Sequence, residues 1–259
     1  MRQTIRKILR ESAGISFPVR KWTNILYNEI KGNPQEDVRI IIDGYDYPEA
    51  FEEFQVDYFV LDYHPSITGY GHDHSGYDKD GNYVVLLYIQ PTLVSGKHNF
   101  GLKTALNHEL KHAYQDYKRI TGGYPSIGKT KESKTLYTGD FIALLNDRNI
   151  KGPIKKVLKD YYYLTDLEKD AYLENVYDGN PEYEKAIRRI IKQDYGKIKN
   201  HPDLDSDWYM IKTVYDIPFL NKYSNPRDFI TKSSEILKRK AEKVLKRINK
   251  MKYVHGKLQ

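Results

Sequence analysis

The sequence predicts an α+β fold in which a small mixed sheet and a set of helices occupy segregated layers. Three observations carry this. Stretches rich in Val, Ile, Tyr and Phe, bounded by turn residues, cluster between residues 37 and 90. One long helical pattern follows at about 99–119, and most of the chain after residue 139 has helical spacing.

Taken in order, residues 3–11 and 18–31 have helical patterns, and Gly32-Asn33-Pro34 ends the second. DVRIIID (37–43) is a first strand, closed by Gly44. FQVDYFVLDY (54–63) alternates and gives a second. Residues 69–81 form a polar, Gly-rich loop ending in a turn at Asp78–Asn82. NYVVLLYIQ (82–90) is a third strand, stopped by Pro91. The helix at 99–119 places Leu102, Ala105, Leu106, Leu110, Ala113 and Tyr117 on one face and stops at Gly122-Gly123. On a helical wheel Asn107, Lys111 and Lys118 fall on the opposite face, which is expected to meet solvent. Further helices are expected at 139–147, 153–163, 166–177, 181–195 and 226–252; Asn225-Pro226 supplies the cap and first residue of the last. The resulting division is a domain over 1–225, with a sheet lobe at about 1–120 and a helical lobe at about 121–225. A basic amphipathic helix over 226–259 follows it.

Composition removes several classes of function. The 259 residues include no cysteine, which excludes disulfides, thiolate metal sites and a cysteine nucleophile. The start, Met1 to Ser12, is basic and lacks the apolar segment of a secretory signal. The longest apolar run, Val84 to Ile89, is far too short to span a bilayer. These features lead to the expectation of a cytoplasmic or virion-associated chain. Charge is uneven. Residues 231–259 hold ten Lys/Arg against Glu235 and Glu242, a balance of +8 out of a total of +7, so the rest carries −1. That tail is expected to serve either as a docked helix with a solvated face or as a contact for an anionic partner.

The chemistry concentrates in His108-Glu109-Leu110-Lys111-His112. Residues four apart on a helix are neighbours about 5–6 Å apart, so both imidazoles reach one metal ion. Two imidazoles and a third protein ligand leave one position on zinc for water. The ion acidifies that water and polarises a carbonyl. Glu109 is placed to accept the water proton and pass it to a leaving amine. Asp116, four residues after His112, is a candidate to orient an imidazole. His201 and Tyr161, Tyr162 and Tyr163 are candidates to stabilise developing charge. His72-Asp73-His74 is read as part of a loop near the cleft mouth rather than as a metal site.

On these residues, 82–119 resembles the core of the zincin metallopeptidases, and the likeness extends loosely over 38–177. The resemblance implies a Zn2+-dependent endopeptidase acting on a peptide or protein substrate. It also implies that 82–90 is a sheet edge that pairs with extended substrate. The HExxHxxGxxH extension of metzincins is absent, since Gln115 and Lys118 stand at the Gly and last His positions. Gluzincins take a Glu from a later helix, and Glu168, with Ala171 three residues on, matches that pattern; Tyr172 stands where those enzymes have an acid. The ligand set implied is His108, His112 and Glu168, with Glu174 and an aspzincin-like Asp140 as alternatives. Glu168 also fits a capping box with Thr165. The alternative function is a catalytically inactive zincin fold used for structure or binding, for example in a virus particle or mobile element.

Overall fold

The computed structural model describes residues 17–32, 39–63, 71–89, 101–122, 139–147, 149–177 and 180–258. The helix expected at 3–11 lies outside them. The chain forms two compact units: residues 1–125, 170–180 and 251–259, and residues 126–169 and 181–250.

In the first unit, α1 (Phe17–Gly32) leads to β1 (Arg39–Asp43), a 3-10 turn at Gly44–Asp46 and a one-turn α2 (Pro48–Phe51). Then come β2 (Tyr58–Tyr63), β3 (Gly71–Tyr77), β4 (Tyr83–Ile89) and α3 (Leu102–Ile120). The four strands form one mixed sheet in the order β1-β2-β4-β3. β1 runs antiparallel to β2 with Ile41 opposite Val60. β2 and β4 are parallel with Val60 opposite Leu86. β3 and β4 are antiparallel with Ser75 opposite Val85.

The α+β class is therefore observed, with two corrections inside it. Residues 71–77 are a strand, and β4 is an interior strand rather than the sheet edge. The near-continuous apolar run of β4 suits a strand flanked on both sides, and Tyr83, Val85, Leu87 and Ile89 point into the core. Among the described strands the edges are β1 and β3. The turn between β3 and β4 forms at Asp78–Asn82, where Asp78 Oδ1 accepts from the N–H of Asp80 and of Asn82, both at 2.9 Å. Those donors hold the Asp78 carboxyl below its usual range, and Gly81 takes the positive φ (86°) that the turn requires.

The core of this unit lies between α1, the sheet and α3. Val19, Trp22, Leu26 and Ile30 form the buried stripe of α1. Trp22 donates its indole N–H to the Phe54 carbonyl at 3.0 Å and packs its ring 4.6 Å from that of Phe59. Leu102, Ala105, Leu106, Leu110, Ala113 and Tyr117 of α3 are all buried, as the spacing predicts.

The second unit is helical among its described residues. It contains α4 (Gly139–Asn146), α5 (Pro153–Tyr163), the start of α6 (Asp166–Tyr177), α7 (Glu182–Lys192), α8 (Tyr195–Lys199), α9 (Leu204–Val214) and most of α10 (Pro226–Leu258). The helix expected at 181–195 is two helices, because Asp194 leaves the helical path and accepts from the Lys197 N–H at 3.1 Å as the cap of α8. Asp207 of α9 accepts from the Ile154 N–H at 2.7 Å and so satisfies the start of α5 from a distance. A Cβ on Gly152 would sit 2.0 Å from that carboxylate, so a glycine is required there. Asn225 accepts from the Asp228 N–H at 2.8 Å and caps α10, as expected.

Candidate metal site

Helix α3 carries His108 and His112 one turn apart, and the two rings meet edge to face with centroids 4.8 Å apart. Their Nε2 atoms face each other at 3.2 Å. His108 is buried and His112 half-buried. His112 Nδ1 lies 3.1 Å from Gln115 Oε1. As a donor to that oxygen, Nδ1 carries the ring proton and Nε2 keeps its lone pair, which is the tautomer a metal ligand needs.

Glu168 stands in the first turn of α6 and is buried. One ligand atom from each of His108, His112 and Glu168 lies within 4.8 Å of the others. This buried group of two imidazoles and a carboxylate has the composition and spacing to bind a metal ion. The Thr165 N–H, which a capping box would direct to Glu168, donates to the Tyr162 carbonyl at 3.1 Å.

Contacts farther along α6 explain how the helix is held. The Tyr172 ring packs on His108 with centroids 4.5 Å apart, so Tyr172, which stands where gluzincins have an acid, touches one of the two imidazoles. Glu174 is fully buried; its Oε1 is 3.1 Å from Lys111 Nζ and its Oε2 is 3.9 Å from Arg20 Nε. Asn107 Nδ2 lies 3.5 Å from Asn175 Oδ1, and Asn107 Oδ1 lies 3.2 Å from Thr23 Oγ1.

These contacts overturn one expectation: Asn107 (0 % exposed) and Lys111 (5 %) do not face solvent. The wheel separates apolar from polar residues, but α6 offers polar partners to the polar face. Glu174, an alternative ligand from sequence, is engaged with Lys111 and Arg20.

The remaining candidates have other partners. Asp140 accepts from the Asp216 N–H at 3.0 Å. Asp116 receives the Ser75 hydroxyl at 3.2 Å and pairs with Arg119 at 3.2 Å, while Gln115 takes the place beside His112. Its position one turn after His112 was the available signal. Tyr161 is buried against Phe219 and lies 3.2 Å from Ser233 Oγ. Tyr162 packs on Phe141, and the Tyr163 carbonyl accepts from the Tyr183 hydroxyl. His201 is exposed beside Asp203. His72 and His74 belong to β3, with backbone positions opposite Leu87 and Leu86.

No family model, curated protein or solved structure matches this chain. The site must be judged on its own geometry. Glu109 is half-buried and borders a shallow apolar depression lined by Leu87, Tyr88, Ile89, Leu102, Ala105 and Leu106. The carboxylate next in sequence to His108 thus has hydrocarbon on one flank. No described helix is long and apolar enough to cross a membrane.

Proposed function

We propose that this protein is a zinc-dependent peptidase of the zincin type. The observation that carries the reading is the 3.2 Å separation of the His108 and His112 Nε2 atoms, with Glu168 beside them. Zinc–nitrogen bonds of about 2.0–2.1 Å at a tetrahedral angle place two ligand nitrogens roughly 3.3 Å apart. The donor set of two imidazoles and one carboxylate, with no thiolate, suits zinc in a hydrolytic site with a position left for water.

Zinc, when held by His108, His112 and Glu168, supplies an acidified water and a polarised carbonyl. The chain supplies the rest. Glu109 accepts the water proton on its carboxylate and returns it to the departing amine nitrogen. Gln115, by accepting from His112 Nδ1, would leave the ring lone pair on Nε2, the atom that would bind the metal, and Tyr172 packs on the His108 ring. β3, an edge among the described strands, would offer backbone groups to an extended peptide.

The test compares wild type with Glu109→Gln on a broad peptide library read by mass spectrometry. Wild type is expected to cleave, and the variant to keep its zinc while losing about 10²–10⁴-fold in rate, the usual worth of a general base. Equally poor cleavage by both, with zinc bound, would instead favour a zincin fold kept for structure or binding.

A further inference from the structure

We propose that the exposed face of α10 is a docking ridge for duplex nucleic acid, contacted through its phosphates. The helix is amphipathic, and its apolar side is already used. Phe229 packs with Tyr223, Trp208, Phe219 and Tyr161 at centroid distances of 5.0–6.4 Å. Leu237, Ala241, Val244 and Ile248 are buried. The other side is basic in a regular way. At 100° per residue, the positions of 232–250 that fall on one strip about 60° wide are 232, 239, 243, 246 and 250. All five are Lys or Arg, and all five are exposed.

Lys232 is paired with Asp228 at 3.0 Å. Arg239, Lys243, Lys246 and Lys250 have no ion pair among the described residues. At 1.5 Å per residue this row of four extends about 16 Å, with steps of roughly 4.5–6 Å between cations. Glu235 and Glu242 are exposed on one flank and leave the row itself unbroken.

The fold narrows the partner. An amphipathic helix that lies on a bilayer inserts its apolar face, and the apolar face of α10 is already buried. Single strands are gripped by aromatic side chains that stack on bases, and the ridge has none. A straight row of cations on a rigid helix matches the regular charge of a duplex backbone. Contacts made through phosphates carry no sequence information, so this mode of binding is expected to depend on charge rather than on base sequence.

The experiment uses the full-length protein and a labelled mixed-sequence duplex of about 20 base pairs, followed by anisotropy between 50 and 200 mM salt. Four phosphate contacts predict a slope of log K against log salt of about −3.6, a loss of roughly two orders of magnitude over that range. The variant R239Q/K243Q/K246Q/K250Q is expected to melt at the wild-type temperature and keep its metal content. It should lose most duplex binding at 50 mM, with the slope brought near zero. Absence of wild-type binding at 50 mM overturns the proposal, as does a variant with the wild-type slope. Tighter binding of a single strand of the same length, or of phosphatidylserine vesicles, also overturns it.

Discussion

Glu174 and Lys111 provide the sharpest energetic test of how the site is built. Their side chains are 0 % and 6 % exposed and meet at 3.1 Å, with Arg20 on the other carboxylate oxygen at 3.9 Å. Removing one member of a buried pair leaves an uncompensated charge and costs about 3–5 kcal/mol. Replacing both by apolar groups of similar volume is neutral or stabilising by about 1–4 kcal/mol. Lys111→Met and Glu174→Met are therefore each expected to destabilise by about 3 kcal/mol or more, with the Arg20 contact keeping Lys111→Met at the low end. The double variant is expected to return to within about 1 kcal/mol of wild type. Urea unfolding followed by far-UV circular dichroism gives all four corners of the cycle. Single-variant costs below about 1 kcal/mol, or costs that simply add, would refute a buried pair joining α3 to α6.

Two further outcomes follow from single contacts. Gln115→Ala removes the group that holds the His112 ring and is expected to weaken zinc binding about 10–100-fold in chelator competition; unchanged affinity would deny the contact a role. Asp160 is pushed up to about 6 by burial, opposed by Arg189, Lys156 and Lys159. A carboxyl raised in the folded state contributes stability that is present below pH 4 and lost as pH climbs through 6. Two pH units correspond to roughly 3 kcal/mol. Asp160→Asn should therefore gain on wild type by about that much between pH 4 and pH 7, in denaturant midpoints converted to free energy. A difference that stays flat over that range rules the effect out.

Most parts of this fold that were legible in the sequence bury a periodic apolar face; α6, found at its expected span without such a stripe, is the exception. α1, β4, α3, α5 and α10 fall close to their expected spans because each has such a stripe. GHDHSGY has no apolar alternation to mark it as β3, and its strand form comes from pairing with β4. Without β3 in view, β4 reads as the edge. α9 gave no clear signal because Tyr209, Met210 and Val214 are exposed on it while Asp207 is buried. At the candidate site, the nearness of His108 and His112 was readable because residues four apart share a helix face, while Glu168 came only from the resemblance and joins them in the fold. The polar contacts around them were not readable. Asn107 and Lys111 look like surface residues until α6 is in place, and Tyr172 stands out in the sequence only as a departure from the gluzincin pattern.

The central claim rests on metal, and metal content measures it most directly. Protein purified without chelator, with its elements determined by plasma mass spectrometry, is expected to hold about one zinc per chain, and the Glu109→Gln protein the same. His108→Ala, His112→Ala and Glu168→Ala, each shown folded by its circular dichroism, are expected to hold much less. Wild-type protein that contains no zinc and takes none up when it is supplied would contradict the account. So would a folded His108→Ala/His112→Ala protein that keeps its zinc.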